Sequence, residues 1–398
     1  MLSMRASNQR RHCRKNILRR RTRSRARKSS SAKLPGLTAP GAATILLAMN
    51  DAAEQLAIDL ILRRDWTQLL EAGRAWTQLQ PDGVIARLIV ITGLLFQGNY
   101  RAAYEEHDQL FSGPTDLESE QEDPRPVLKA FAETLAGKHP DKAGAHLFLG
   151  VTLAQIGELD AAISEYKETI RLAPEEPYAY YFQGQAHQAT DRLDIAIGEY
   201  REAVRLAPQN VTMRLNLGSA YHSQGNLESA ILQFRETIKL NPDEAFAHYN
   251  LGLALGEQGR FEPAITAYKE AARLNPRDPL ARYALGCLFE ARGRLPQAIT
   301  EFQAATEIAP KYAEAYSRLG WLYYKQRKIS EAAEALGKAV QCDENDSHAL
   351  HGLGLAKLAE GKKEDALTFL KLAFQNEKRP DKQILIRTDL IRLGVIQH

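Results

Sequence analysis

AGAHLFLGVTLAQIGELDAAISEYKETIRLAPEE, residues 143–176, is followed without a gap by four more stretches built to the same 34-residue plan. Glycine stands eighth in each (Gly150, Gly184, Gly218, Gly252, Gly286) and alanine twentieth (Ala162, Ala196, Ala230, Ala264, Ala298). An aromatic stands twenty-fourth (Tyr166, Tyr200, Phe234, Tyr268, Phe302) and proline thirty-second (Pro174, Pro208, Pro242, Pro276, Pro310). Small and apolar residues recur at positions 4, 7, 8 and 11, then at 17, 20, 21, 24, 27 and 28, which is helical spacing. Each stretch therefore predicts two helices split by a turn such as GELD, GNLE or GRFE. Glycine at 8 and alanine at 20 let the helices approach closely, and the aromatic at 24 fills the space beyond them. Proline at 32 lacks an amide donor and ends the second helix. One pair cannot bury its apolar face alone, so the pairs must stack into a solenoid.

This period, with small, aromatic and proline residues at these offsets, resembles the tetratricopeptide repeat. The resemblance implies an all-α fold, a right-handed α-solenoid of antiparallel helix pairs. It also implies that the first helix of each pair lines a concave groove through positions near 2, 5, 6, 9 and 12. Those positions hold Phe148, Tyr178, Tyr181, Phe182, Phe246, Tyr249, Tyr283, Trp321 and Tyr324, together with Asn216, Asn250 and Arg318. An aromatic groove suits an extended or helical peptide, because aromatic anchors often dominate interface energy. The same aromatics could instead pack between neighbouring helices. The subset of the family that clamps acidic C-termini needs lysine at position 5, where this chain has Leu147, Tyr181, Leu215, Tyr249, Tyr283, Ser317 and His351, so that clamp is absent. A partial resemblance to the repeat region of O-linked N-acetylglucosamine transferases lies in Asn216-Leu217-Gly218 and Asn250-Leu251-Gly252, two rungs of an asparagine ladder. A side-chain amide offers a donor and an acceptor, so each rung could pair with a peptide unit of a ligand.

Working outward, the sixth unit (313–346) keeps Gly320 and Ala332 but has Leu336 for the aromatic, and the seventh (347–380) keeps Gly354 and Ala366. Residues 381–398 carry Ile384, Leu385, Leu390, Ile391 and Leu393 and predict a helix that caps the last pair. On the other side, residues 118–142 read as an acidic loop and a half-unit helix from about Pro126 to Gly137, with a bend there. Residues 49–117 read as two degenerate units, with Gly98 and Ala103 in frame and Trp66 and Trp76 filling their core.

The net charge of +3 hides two opposed parts. Residues 1–48 hold 13 Lys and Arg and no acid, which leaves 39 bases against 49 acids in the rest. That segment reads as a disordered basic tail and linker. It fits three roles: neutralising phosphate on nucleic acid or acidic lipid, a transit peptide, or a long signal n-region before ATILLAM. Met49 is a second candidate start. Cys13, Cys287 and Cys342 share no paired spacing, which fits a reducing, cytoplasmic setting, with an organelle as the alternative if the tail is a transit peptide. No apolar run approaches a membrane span.

No catalytic constellation stands out. The glycines belong to the repeat, His146 and His248 sit at packing position 4, and Glu175 and Glu176 read as solvated loop carboxylates. His348 and His351 share a helix face without a third metal ligand. Cys287 reads as a small helical filler. The sequence thus predicts a non-enzymatic scaffold, with no cofactor, that binds a protein or peptide segment in its groove, in the manner of an assembly factor. The alternatives are an adaptor for nucleic acid or a membrane surface through the tail, and a regulatory subunit of an enzyme such as a glycosyltransferase.

Overall fold

A computed structural model describes residues 56–79, 87, 89, 90, 93, 94, 102 and 124–393. The basic tail, Trp76's surroundings, Pro81, Gly98, Ala103 and the acidic loop with its expected bend lie outside these or outside the side chains described. The chain divides into two compact units, one ending at Gly225 and one beginning at Asn226.

In the first unit a helical stretch over 56–63 precedes α1 (Trp66–Leu79), α2 (Pro124–Lys138) and the repeats. These are α3 (Ala143–Gln155) with α4 (Leu159–Leu172), α5 (Pro177–Ala189) with α6 (Leu193–Leu206), and α7 (Val211–Gln224). The second unit holds α8 (Leu227–Leu240) and the pairs α9 (Ala245–Glu257) with α10 (Phe261–Leu274) and α11 (Pro279–Ala291) with α12 (Leu295–Ile308). It continues with α13 (Ala313–Lys325) and α14 (Ile329–Cys342), α15 (Ser347–Ala359) and α16 (Lys363–Asn376), and ends on α17 (Pro380–Arg392). Each unit is an all-α solenoid in which consecutive helices pack on one another.

The eighth-position glycines behave as their spacing predicts. A Cβ at Gly150 would sit 2.5 Å from the Tyr166 ring, one at Gly184 2.9 Å from Tyr200, and one at Gly286 2.6 Å from Phe302. The aromatic at position 24 lies flat in the space that a side chain would need. In the sixth repeat Leu336 does the same work, its Cγ 2.5 Å from the Cβ position of Gly320.

Two further regularities set the turns. Position 15 takes a left-handed φ in all seven repeats: at Gly157, Gly225, Gly259, Gly293 and Gly361, and also at Asp191 (61°) and Arg327 (63°). Glycine adopts that conformation without a steric penalty, whereas Asp191 and Arg327 hold it under strain. Position 34 caps the next first helix. Glu176, Asn210, Glu244, Asp278 and Asp346 each accept a backbone amide from the first turn that follows, a bond that stabilises a helix start by about 1 kcal/mol. Glu176 is therefore no solvated loop carboxylate; it is buried, and besides capping α5 it pairs with Arg64 at 2.8 Å.

The ends depart from the frame. Helix α2 starts at Pro124, two residues earlier than its sequence suggests. In α17 it is Ile386 and Leu390 that bury against the last pair, while Ile384 and Leu385 are 62% and 53% exposed. The capping face of that helix is carried by residues spaced four apart, so Ile384 and Leu385 fall on its opposite side. Near the N-terminus Trp66 is buried, and Gly73 meets Ile89 while Gly93 meets Leu70, so α1 packs closely on the stretch around 89–94.

Candidate functional site

The residues that line the first helices divide between the two units, and burial sorts them. In the first unit Phe148, Tyr181 and Phe182 are core residues. Tyr181 and Phe182 meet edge-on at 5.2 Å, and Phe182 stacks on Tyr166 at 6.2 Å. These rings pack between helices and do not line an open groove. Tyr178, stacked on Phe182 at 6.3 Å, is half-buried. The Tyr181 hydroxyl accepts from Gln185 Nε2 at 2.7 Å and from Asn216 Nδ2 at 3.1 Å. Asn216 Nδ2 also donates to the Thr212 carbonyl at 2.9 Å. The donor half of the first ladder rung is thus engaged inside the protein. The second rung, Asn250, is buried at 9% exposure in the other unit. Asn216 itself is half-buried.

In the second unit part of the same face is exposed. Phe246 is 50% exposed beside a shallow recess formed with Tyr249, Ala271, Asn275 and Ala281. Further along, Tyr283 on α11 stands against Phe302 at 5.6 Å and Tyr312 at 5.0 Å. The exposed Arg318 guanidinium on α13 reaches back to Glu290 Oε2 on α11 at 3.2 Å. Lys325, two helical turns further along the same face of α13, reaches the other oxygen of the same carboxylate at 3.4 Å. Two accessible cations therefore share one shielded carboxylate, and the cluster carries a net positive charge. Trp321 and Tyr324 lie edge to face at 6.0 Å beside it.

Trp321 is held in place from α15. Its ring stacks on His348 at 5.0 Å and its Nε1 donates to the His348 carbonyl at 3.1 Å. His348 Nδ1 lies 3.1 Å from Ser317 Oγ. Burial, with Arg318 next in effect, pulls the His348 imidazole down to about 4, so the ring is neutral near pH 7. His351 Nε2 lies 2.9 Å from Asp389 on α17. Each histidine thus has its own structural partner, and among the described residues no group of three His, Cys, Asp or Glu could hold a metal. Burial pushes the Cys287 thiol up, away from a reactive thiolate, as a packed helical filler requires.

Glu290 and Lys325, at positions 12 and 13, escape a reading of aromatic residues alone. Their signal in the sequence is the 35-residue separation that places Lys325 one repeat and one residue beyond Glu290. No helix among the described residues is long and apolar enough to cross a membrane.

The chain is similar to solved structures of MamA protein (25% identity, 43% of this chain and 94% of that one, TM-score 0.39). It is similar also to YrrB, described as "a TPR protein with an unusual peptide-binding site" (24%, 47% and 96%, 0.40), and to yeast Tom70 (14%, 86% and 88%, 0.47). No curated protein matches the chain. A family model described as "Cilia and flagella-associated protein 70 C-terminal domain" matches residues 115–353, more than half of the sequence. With its seven 34-residue helix pairs, the chain belongs to this tetratricopeptide repeat family.

Proposed function

We propose that the protein is a scaffold that binds a segment of a partner protein along the first-helix face of its second unit, as an assembly factor does. The observation that carries this reading is the pairing of Arg318 and Lys325 over one shielded carboxylate, next to Trp321 and Tyr324. The rest of the chain beyond residue 48 is acidic, so a local excess of positive charge on an aromatic face is a departure from its surroundings. Such a face suits a segment that brings a carboxylate to Arg318 and an apolar side chain to Tyr324. Arginine makes the directional part of that contact, and the aromatics supply contact area.

Peptides selected from a random displayed library on the full chain test the proposal. Arg318→Ala is expected to weaken the selected peptides about tenfold or more, the loss of a charge-assisted hydrogen bond. Tyr324→Ala is expected to weaken them as well, with helicity unchanged in both variants. Selected peptides that bind both variants as they bind the parent protein would place the binding face elsewhere.

A further inference from the structure

At positions 5 and 6 the first-helix face is covered in the first two repeats and only partly covered further along, where Asn250 and Ser317 are still buried. At positions 5 and 6 Leu147 and Phe148 are 0% exposed, while Tyr249 and Tyr283 are half-buried and Arg318 is exposed. Residues 56–64 form part of the cover. A Cβ at Gly144, position 2 of the first repeat, would overlap the Ile61 carbonyl oxygen and lie 3.3 Å from Arg64 Cγ. Glycine there permits a backbone-to-helix approach that any other residue blocks. Arg64 Nη1 then donates to Glu176 Oε2 at 2.8 Å, joining two residues 112 apart in sequence.

The local structure of 56–64 is shaped for that contact. Ala57, Leu60 and Ile61 are buried at helical spacing, whereas Leu56 on the other side is 50% exposed. The stretch ends with Asp65 N donating to Leu60 O at 3.0 Å and Arg64 in the left-handed region at φ 59°. Glycine is the residue that position favours. An arginine there gives up backbone ease and gains the Glu176 contact.

We infer that residues 56–64 are a built-in ligand of the first repeats. Uncovered, the same surface takes a short amphipathic helix from a partner, with apolar residues at i, i+3 and i+4 and a basic residue at i+7, the pattern of Ala57, Leu60, Ile61 and Arg64. The inference rests on the first-helix face being the binding face, and it adds a second, self-occupied site to the open one.

The test uses the full chain, with amide exchange over 57–63 and a labelled synthetic peptide of residues 56–66 (LAIDLILRRDW) as the probe. Arg64→Glu sets like charge against Glu176, and is expected to speed exchange over 57–63 about tenfold or more and to let the probe bind. Gly144→Ala favours α3 as a helix but pushes 56–64 away. It is expected to speed the same exchange without probe uptake, because the added methyl also obstructs the probe. The parent protein should take up at least tenfold less probe than Arg64→Glu. Unchanged exchange in both variants overturns the inference, and so does equal uptake by the parent, or release in Arg64→Glu without uptake. Arg318→Ala should alter none of these readings, so failure at the open face and failure here are read separately.

Discussion

The Tyr166 hydroxyl offers a test of how the repeat packs, because the same substitution should act in opposite directions at equivalent positions. Tyr166 is 0% exposed, and its hydroxyl finds no hydrogen-bond partner among the described residues. Tyr200, one repeat later and equally buried, donates to Gln188 Oε1 at 2.8 Å. Phe234 and Phe302 fill the same position without a hydroxyl. Leaving a buried hydroxyl unpaired costs about 1–3 kcal/mol, while one satisfied hydrogen bond contributes about 0.5–1.5 kcal/mol. The stack of Tyr166 on Phe182 needs only the ring. Tyr166→Phe is thus expected to stabilise its repeat by about 1 kcal/mol, and Tyr200→Phe to destabilise its own by about as much. Solenoids unfold in parts, so amide exchange over 143–172 and 177–206 is the suitable assay. Exchange should slow about fivefold in the first variant and quicken in the second. Faster exchange in both would show that the Tyr166 hydroxyl has a partner and that the packing account of position 24 is wrong.

Three further outcomes follow from particular residues. Arg327→Gly should stabilise the sixth repeat by about 0.5–1 kcal/mol, since it relieves a left-handed backbone at an exposed turn; a fall in the thermal midpoint would contradict this. Gly252→Leu should unfold its pair, because even a Cβ lies 2.8 Å from the Tyr268 ring, whereas Gly198→Leu, with open space around it, should keep its fold by circular dichroism. Stability should fall with acid. His348 is held to about 4, below the unfolded value near 6.5, so its contribution is complete above pH 6.5 and is lost as pH falls through 4. His187, lowered by burial, acts in the same direction. Glu377, held at about 2 by Arg379, contributes above the unfolded carboxylate range and is lost only below it. A drop between pH 7 and pH 5 that persists in a His187→Gln, His348→Gln double variant would assign it elsewhere.

The repeating fold could be read almost whole from residues 143–380, because glycine at 8, alanine at 20 and the aromatic at 24 interact within one pair and repeat with it. Local chemistry fixed those features, and Leu336 shows that volume, not aromatic character, is what position 24 needs. The turn at position 15 was legible only where glycine marks it; Asp191 and Arg327 adopt the same backbone with no such mark. The site was harder to read. Whether a first-helix residue is groove or core depends on what covers it, and the segment that meets Gly144 in the first repeat, around Ile61 and Arg64, lies about 80 residues away in a degenerate unit. Glu176 illustrates the same limit: its capping role is local, but its partner Arg64 belongs to a distant turn. Ile384 and Leu385 face outward because α17 buries one face against the last pair, where Ile386 and Leu390 join Leu350, Leu370 and Ala373.

The most direct measurement of the central claim is photo-crosslinking from a reactive residue placed at position 324 of the full chain in its own cells, with mass spectrometry of the joined peptide. A second probe at position 338, on the exposed side of α14, serves as the control. Position 324 should capture one recurrent protein segment and position 338 should not, and Arg318→Ala should reduce the capture about tenfold. Equal capture at both positions, or capture at 324 untouched by Arg318→Ala, would contradict it.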